Sequence, residues 1–300
     1  MGGCATNTSS ALAELGLTPH LMARTSLAGR RLLEILTKGV DLSHVKTDGE
    51  MALTVALELE LEGRQVNLMI GDLGSVADFG PDSLTNRDRN LLKAADMVCV
   101  FSWNLNRRGT ELARSVLKFV REKGRALTYL DSGDPSTKVG EMGDLIHGVL
   151  GANMVDALSV NENEALWFAS EVDVSLRGLR NNTPDDSLSL RCSRVLRDEL
   201  KVSVDLHTPR LSASFDGDGE HVVPAFPVSV RRITGAGDVW NAGNIYGYLS
   251  GMDPRERLTL ANAVAAYYIS DRNGRHPSRK DIIRFLRKSG IGYGGQGRHP

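Results

Sequence analysis

Met97-Val-Cys-Val-Phe-Ser102 and Ala126-Leu-Thr-Tyr-Leu-Asp131 are short apolar runs, and between them, at 109–123, apolar residues recur at three and four positions. The runs have the length and make-up of buried strands, and the spacing between them lays one apolar stripe along a helix. The alternation continues through Asp156-Ala-Leu-Ser-Val160, helical patterns at 161–171 and 187–200, and Val202-Ser-Val-Asp-Leu-His207. Strands joined by helices form a mostly parallel sheet with helices on its faces, because parallel neighbours need a crossover connection.

The C-terminal third adds β-like pieces at 211–215 and 221–226, then helical patterns at about 237–250, 254–270 and 279–288, with Asp253-Pro254 as a helix start. Towards the N-terminus, Val55-Ala-Leu-Glu-Leu-Glu-Leu-Glu62 alternates apolar and charged residues, as a strand with one wet face does, and predicts a β flap over about 45–72. Arg180-Asn-Asn-Thr-Pro-Asp-Asp186 reads as a polar surface loop. No repeat or linker divides the chain, which is expected to form a single α/β domain over 1–290 with a frayed Gly-rich tail at 291–300.

Thirty-six Lys and Arg against thirty-seven Asp and Glu leave a net charge of -1, so the chain as a whole attracts neither nucleic acid nor an anionic membrane. Cys4, Cys99 and Cys192 are far apart and match no metal-ligand spacing; Cys99, inside an apolar run, reads as a buried thiol. No apolar stretch approaches the roughly 18 residues of a membrane span, and the N-terminus lacks the basic and apolar regions of a signal peptide. A soluble protein of the reducing cytoplasm, without disulfides, is expected.

Ile233-Thr-Gly-Ala-Gly-Asp-Val-Trp-Asn-Ala-Gly243 places a tight glycine turn directly before a helical pattern. Such a turn offers backbone N–H groups at the positive end of a helix, where a phosphoryl group can be held. Asp238 falls in the first turn and can accept the proton of an attacking hydroxyl, the one covalent service phosphoryl transfer asks of a protein. Taken alone, the glycines can equally be a turn and Asp238 a helix cap. The motif is neither a Walker A loop nor Gly-x-Gly-x-x-Gly, which removes the main support for P-loop and dinucleotide-oxidoreductase readings.

Asn161-Glu-Asn-Glu164 follows a predicted strand and opens a helix, with Asn161 and Glu164 on one face. A carboxylate there can organise Mg²⁺ and its waters near nucleotide phosphates, and the same spacing is a capping box; both readings hold together.

Several of these segments, in order, resemble the ribokinase/PfkB sugar-kinase family. Gly2-Gly3-Cys-Ala-Thr-Asn7 with Ala11-Leu-Ala-Glu-Leu-Gly16 is similar to its glycine-rich substrate segment and helix. Gly39-Val-Asp-Leu-Ser-His-Val45 is similar to its helix-to-flap connection, Asn161-x-x-Glu164 to its magnesium-associated motif, and Gly235-Ala-Gly-Asp238 with Ala242-Gly243 to its signature. The resemblance implies a three-layer α/β/α sandwich with a small β lid. It also implies a sugar kinase with Gly235, Ala236 and Gly237 as anion hole, Asp238 as base, and Glu164 with Asn161 at Mg²⁺. Gly3 and Asn7 would touch the acceptor, and Asn262 and Ala263 would lie near adenine. Flap strands can pair between subunits in this family, so the resemblance makes a homodimer through the flap an expectation by analogy only.

Three features depart from the family pattern. A strand with an acidic sugar contact usually precedes the double glycine, whereas Met1 directly precedes Gly2; either the coding frame continues upstream or part of the sheet and site is missing. Thr25-Ser-Leu-Ala-Gly29 stands where Gly-Asp-Asp-x-x-Gly is common. His207-Thr208 replaces a Thr-x-Gly nucleotide turn and looks more like that of ADP-dependent archaeal sugar kinases, which leaves the donor open between ATP and ADP, with Thr208 at the nucleotide. His207 can also be a packed strand-end histidine.

Arg107-Arg108 follows a strand end, where parallel sheets place ligands, so Arg107 is a candidate for binding a phosphate already on the acceptor; the alternative is a solvated helix start. Asp131-Ser-Gly-Asp134-Pro135 sits at another strand end, its carboxylates turned to magnesium or acceptor, or spent on Asx turns. The acceptor is thus a sugar or a sugar phosphate. The competing readings are a nucleoside kinase and a non-catalytic nucleotide- or sugar-binding regulator on the same fold.

Overall fold

The computed structural model describes residues 3–61 and 64–290. Its N-terminal elements are α1 (Cys4–Glu14), β1 (Ala23–Arg24), α2 (Leu27–Leu36), β2 (Val45–Lys46), β3 (Leu53–Leu61) and β4 (Arg64–Asp72). The alternating unit follows as α3 (Asn86–Ala94), β5 (Met97–Phe101), α4 (Gly109–Lys123), β6 (Leu127–Asp131), α5 (Val139–Leu145), β7 (Ala157–Asn161), α6 (Glu162–Val172), α7 (Asp186–Leu200) and β8 (Ser203–His207). The hairpin β9 (Leu211–Asp216) and β10 (Gly219–Pro224) leads to α8 (Ala236–Leu249), α9 (Pro254–Ser270) and α10 (Arg279–Lys288). The expected tail at 291–300 lies outside the described residues.

Six strands form one sheet in the order β10-β9-β8-β7-β6-β5. β5 to β8 are mutually parallel, and β9 and β10 close one edge as an antiparallel pair. Side chains alternate between two apolar layers. Leu130, Leu158, Val204 and Leu206 pack with Leu117, Met142, Leu166 and Leu196 on one face. Tyr129 and Ala157 pack with Leu12, Val239, Ala263 and Ile282 on the other. Many of these residues have no exposed surface, and each large apolar side chain so buried contributes on the order of 1.5–3 kcal/mol.

Local chemistry sets the element ends. Asp253 caps α9 through the Arg255 and Glu256 amides with Pro254 at the first helical position, and Ser278 with Asp281 forms a capping box at α10. Among the described residues no helix is long and apolar enough to cross a membrane.

One expectation holds and one needs correction. Cys99 is half-buried as a residue, but burial pushes its thiol up to about 12, as a buried thiol requires; Cys192, on α7, is enclosed in the other apolar layer. The flap is a two-stranded hairpin, β3 with β4, and every residue of β3 is exposed on both faces, not on one, because among the described residues none of the apolar clusters includes a side chain of either strand.

Candidate active site

Gly235 ends the approach to α8 with φ 83° and ψ 5°, the left-handed conformation that glycine adopts at little cost. A Cβ there would lie 2.5 Å from Asn7 Nδ2 and 3.0 Å from the Tyr268 hydroxyl, so the position is closed to side chains on both counts. The Ala236 amide donates to the Ile233 carbonyl at 3.1 Å and tightens the turn. Of the expected anion-hole residues, Ala236 therefore has its amide occupied, while the Gly237 and Asp238 amides lie in the first helical turn, where a helix supplies no acceptor of its own.

Asp238 is held from the far end of the chain. Asn7 Nδ2 on α1 donates to Asp238 Oδ2 at 3.0 Å, and the Thr8 hydroxyl donates to the Asp238 carbonyl at 3.0 Å. Burial pushes the Asp238 carboxyl above the ordinary carboxylate range, against the hydrogen bonds from Asn7 and Cys4. That is the direction a proton acceptor needs. The other end of the Asn7 amide meets His276 Nε2 at 2.9 Å, and the His276 ring stacks on Tyr268 with centroids 5.4 Å apart. Gly3, at φ 86°, caps the same α1 and is exposed.

Asn161 and Glu164 form the capping box the spacing predicted. Asn161 Oδ1 accepts from the Asn163 and Glu164 amides, each at 2.9 Å, while Glu164 accepts from the Asn161 amide and side-chain amide, also at 2.9 Å. Glu164 is buried, and its carboxyl is pushed well above the ordinary range by burial and by the charges of Asp131, Asp134 and Glu162. Among the described residues no group of three or more His, Cys, Asp or Glu side chains is arranged to hold a metal ion by itself. The donor set fits a hydrated Mg²⁺, which keeps several waters and takes one or two carboxylates plus substrate phosphate.

Asp131, at the end of β6, makes the Asx turn anticipated for it, accepting from the Gly133 amide at 2.9 Å, and also accepts from Asn241 Nδ2 at 2.5 Å. Burial and the charge of Asp238, against the Gly133 and Asn241 hydrogen bonds, push its carboxyl up to about 6. Asp134 makes the second Asx turn, to the Ser136 amide.

The remaining expected residues fall differently. Thr208 shapes the β8–β9 connection, its hydroxyl accepting from the Arg210 and Leu211 amides at 3.2 and 3.1 Å. Before it, His207 packs against Trp240, the rings tilted by 36° with centroids 4.8 Å apart, and faces Gly237, so the packed reading of this histidine holds. Asn262 is buried, its amide spent on the Pro224 carbonyl and Trp240 Nε1, and Ala263 is enclosed in the layer around α8. α9 turns both of these side chains inward. Arg107 is exposed and pairs with Asp78, its Nε 2.7 Å from Oδ1. With Glu50, Asp72 and Asp78 it lines a cavity of about 440 Å³ whose three carboxylates disfavour a further anion while Asp78 holds the guanidinium. Among the described residues no hydrogen bond joins Arg107 to the Asp238 cluster.

Sequence reading did not single out His276, Tyr268, Thr8 or Glu58. Glu58 Oε1, on the flap, accepts from the Ile233 and Thr234 amides at 3.0 and 2.8 Å and from the Thr234 hydroxyl at 2.6 Å. It sat unremarked inside the alternating run, where a charge facing away from the apolar side is the ordinary pattern.

Phosphotransferases with an alcohol group as acceptor are the class in which this fold and site belong. The chain is a member of the pfkB family of carbohydrate kinases, whose family model matches residues 1–281. It is 24% identical over 291 residues to an ATP-dependent ribose-1-phosphate kinase of Halopiger xanaduensis, covering 94% of this chain and 84% of the relative. A ribokinase of Arabidopsis thaliana, solved with ribose and ATP, superimposes with a TM-score of 0.73 at 20% identity, over 95% of this chain and 87% of that one. An adenosine kinase of Sinorhizobium meliloti gives 0.74 at 20% identity, over 96% and 83%.

Proposed function

We propose that the chain transfers the terminal phosphoryl group of ATP to a hydroxyl of a sugar or sugar phosphate, with Asp238 as the base. The observation that carries this is the Asp238 carboxylate, half-buried in the first turn of α8 with its proton affinity raised by desolvation, and fixed by Asn7 from α1. The acceptor hydroxyl gives its proton to Asp238 while its oxygen attacks phosphorus, and the α8 N-terminus stabilises the charge that develops on the transferring group. Gly3 and Asn7 bound the acceptor side. Mg²⁺, when bound beside Glu164 and Asn161, supplies charge neutralisation at the nucleotide phosphates. Thr208 borders the nucleotide end at the turn after β8.

ATP is favoured as donor by the ATP-dependent relative that spans most of the chain. That relative's name also makes ribose 1-phosphate one of the acceptors to try. If the acceptor carries a phosphate and Arg107 binds it, the guanidinium must leave Asp78, so Arg107→Ala would weaken phosphorylated acceptors only. The cytoplasm is the proposed location.

A coupled assay of sugars, sugar phosphates and nucleosides with ATP and with ADP tests the reading. Asp238→Asn should lower kcat by about 10²–10⁴-fold while nucleotide affinity stays within about threefold, since only proton acceptance is removed. Binding without turnover across the panel, unchanged by Asp238→Asn, would identify a binding protein instead.

A further inference from the structure

Asp131, Ser159, Asp205 and Ser214 stand opposite one another on β6, β7, β8 and β9, so one register line crosses the sheet as a polar row on the face beneath α8. All four are buried. Asn241, fully buried and one turn after Asp238, bonds to the first two members of this row. Its Oδ1 accepts from the Tyr129 and Ser159 hydroxyls, each at 2.7 Å. The Tyr129 oxygen in turn accepts from Asn244 Nδ2 at 3.2 Å, which leaves the phenolic proton for Asn241. With its carbonyl end so engaged, Asn241 has only Nδ2 to offer Asp131, and that atom lies 2.5 Å from Asp131 Oδ2. The remaining Asp131 oxygen takes the Gly133 amide.

An apolar side chain would serve packing alone at this depth, since a buried amide is tolerated only when its bonds are met. Here they are met at mid-strand in β7 and, through Asp131, at the carboxyl end of β6, where open α/β sheets bind ligands. β7 runs two residues past Ser159 into Asn161, the cap of α6 and partner of Glu164.

We infer that Asn241 is a positioning residue: it fixes the rotation of α8, and so the Asp238 carboxylate, against the end of β6 that carries Asp131 and against β7, which leads into Asn161–Glu164. The inference rests on the kinase reading. Asn241 touches no reacting atom; it acts through the placement of Asp238.

The test is a reciprocal exchange. Asn241→Asp sets two carboxylates against each other, and Asp131→Asn sets two amide donors against each other. In the double variant the amide now at position 131 can accept from Gly133 and donate to the carboxylate now at position 241, which still accepts from Tyr129 and Ser159. Each single variant should lower kcat about 30- to 100-fold, with KM for nucleotide and acceptor within about threefold, as displacement of a base does. The double variant should return kcat to within about fivefold of wild type, an outcome that also supports the inference if a single variant proves poorly folded in a parallel thermal melt.

Single variants with near-normal kcat, or losses confined to KM, would overturn it. So would a folded double variant no better than the worse single one, which would mean that charge at position 131 itself is needed. Wild type, with Asp238→Asn as reference, is run in the same assay. No wild-type turnover on any acceptor ends the kinase reading and this inference with it, whereas wild-type turnover without recovery in the double variant ends the inference alone.

Discussion

Glu58 of the flap accepts hydrogen bonds from both the amide and the hydroxyl of Thr234, one residue before the glycine that caps α8. A lid residue thereby holds the strand of backbone that leads into the phosphoryl end of the site. These bonds, against partial burial, keep the Glu58 carboxyl below the ordinary range, so it remains an acceptor at neutral pH.

Glu58→Ala removes the charged acceptor and with it the three hydrogen bonds that tie β3 to the segment before α8. The site is solvent-accessible, which weakens such bonds, so acceptor KM should rise about 3- to 10-fold with kcat at saturation changed less than about threefold. Steady-state kinetics with the preferred acceptor checks this. An unchanged KM would mean that the flap closes without Glu58.

The apolar side of the same hairpin supports a second prediction. Val55, Leu57 and Leu59 stand directly opposite Ile70, Leu68 and Val66, so their side chains share one face, and each is at least 40% exposed. A contiguous apolar sheet face of this kind marks an interface, and pairing of two copies through their flaps covers it symmetrically. Wild type is therefore expected to sediment as a dimer at micromolar concentration and Leu57→Glu as a monomer. A wild-type monomer throughout the concentration range would remove the proposed flap dimer.

The alternating unit was legible because each of its apolar runs is bounded and each helix carries a single stripe; α4 coincides with the predicted 109–123. The flap was legible as alternation, but alternation says only that two faces differ, not that the apolar one finds a partner. Asn7 and Asp238 each stood out by motif, whereas their hydrogen bond across 231 positions is a product of tertiary packing that no local pattern encodes. The Arg107–Arg108 pair also stood out by motif while its ion-pair partners did not, for a related reason. Its partners Asp78 and Asp82 come from a different segment, and Arg108 also has Glu111 one turn ahead. Asp205 did leave a trace, as a lone charge inside Val202-Ser-Val-Asp-Leu-His207, and such a charge in a buried strand requires a partner. Finding that partner in α9 needed the register.

Burial pushes His207 and His276 down to about 4 from 6.5, so both are neutral at pH 7. For a base whose proton affinity is depressed by folding, the unfolded chain binds the extra proton. The stability contributed is complete above about 6.5 and is lost as pH falls through about 4. His207→Phe keeps a ring against Trp240 but cannot titrate. The margin by which wild type is more stable than this variant should therefore shrink between pH 7 and pH 5 in urea denaturation. A margin that is constant or grows on acidification would show that His207 is not held neutral by the fold.

Arg257 and Asp205 are both almost wholly enclosed, 2.8 Å apart, and Asp205 stands two strands along the polar row from Asp131. Burial alone would raise the Asp205 carboxyl, yet attraction and hydrogen bonding from Arg257 hold it below the ordinary range. Arg257 also donates to Asn244 and to the Ser214 hydroxyl, and lies 3.8 Å above the Tyr248 ring. Arg257→Met preserves much of the packing volume but leaves Asp205 charged and buried, with Oδ1 lacking a hydrogen-bond partner among the described residues. Removing one member of a buried pair costs about 3–5 kcal/mol, whereas removing both members costs far less. Arg257→Met should therefore lower unfolding stability by that amount in urea denaturation, and adding Asp205→Asn should recover part of it. A single-variant loss below about 1 kcal/mol would mean that water or a neighbouring hydroxyl takes over the bonds of Arg257 and that the pair is not what locks α9 to the sheet.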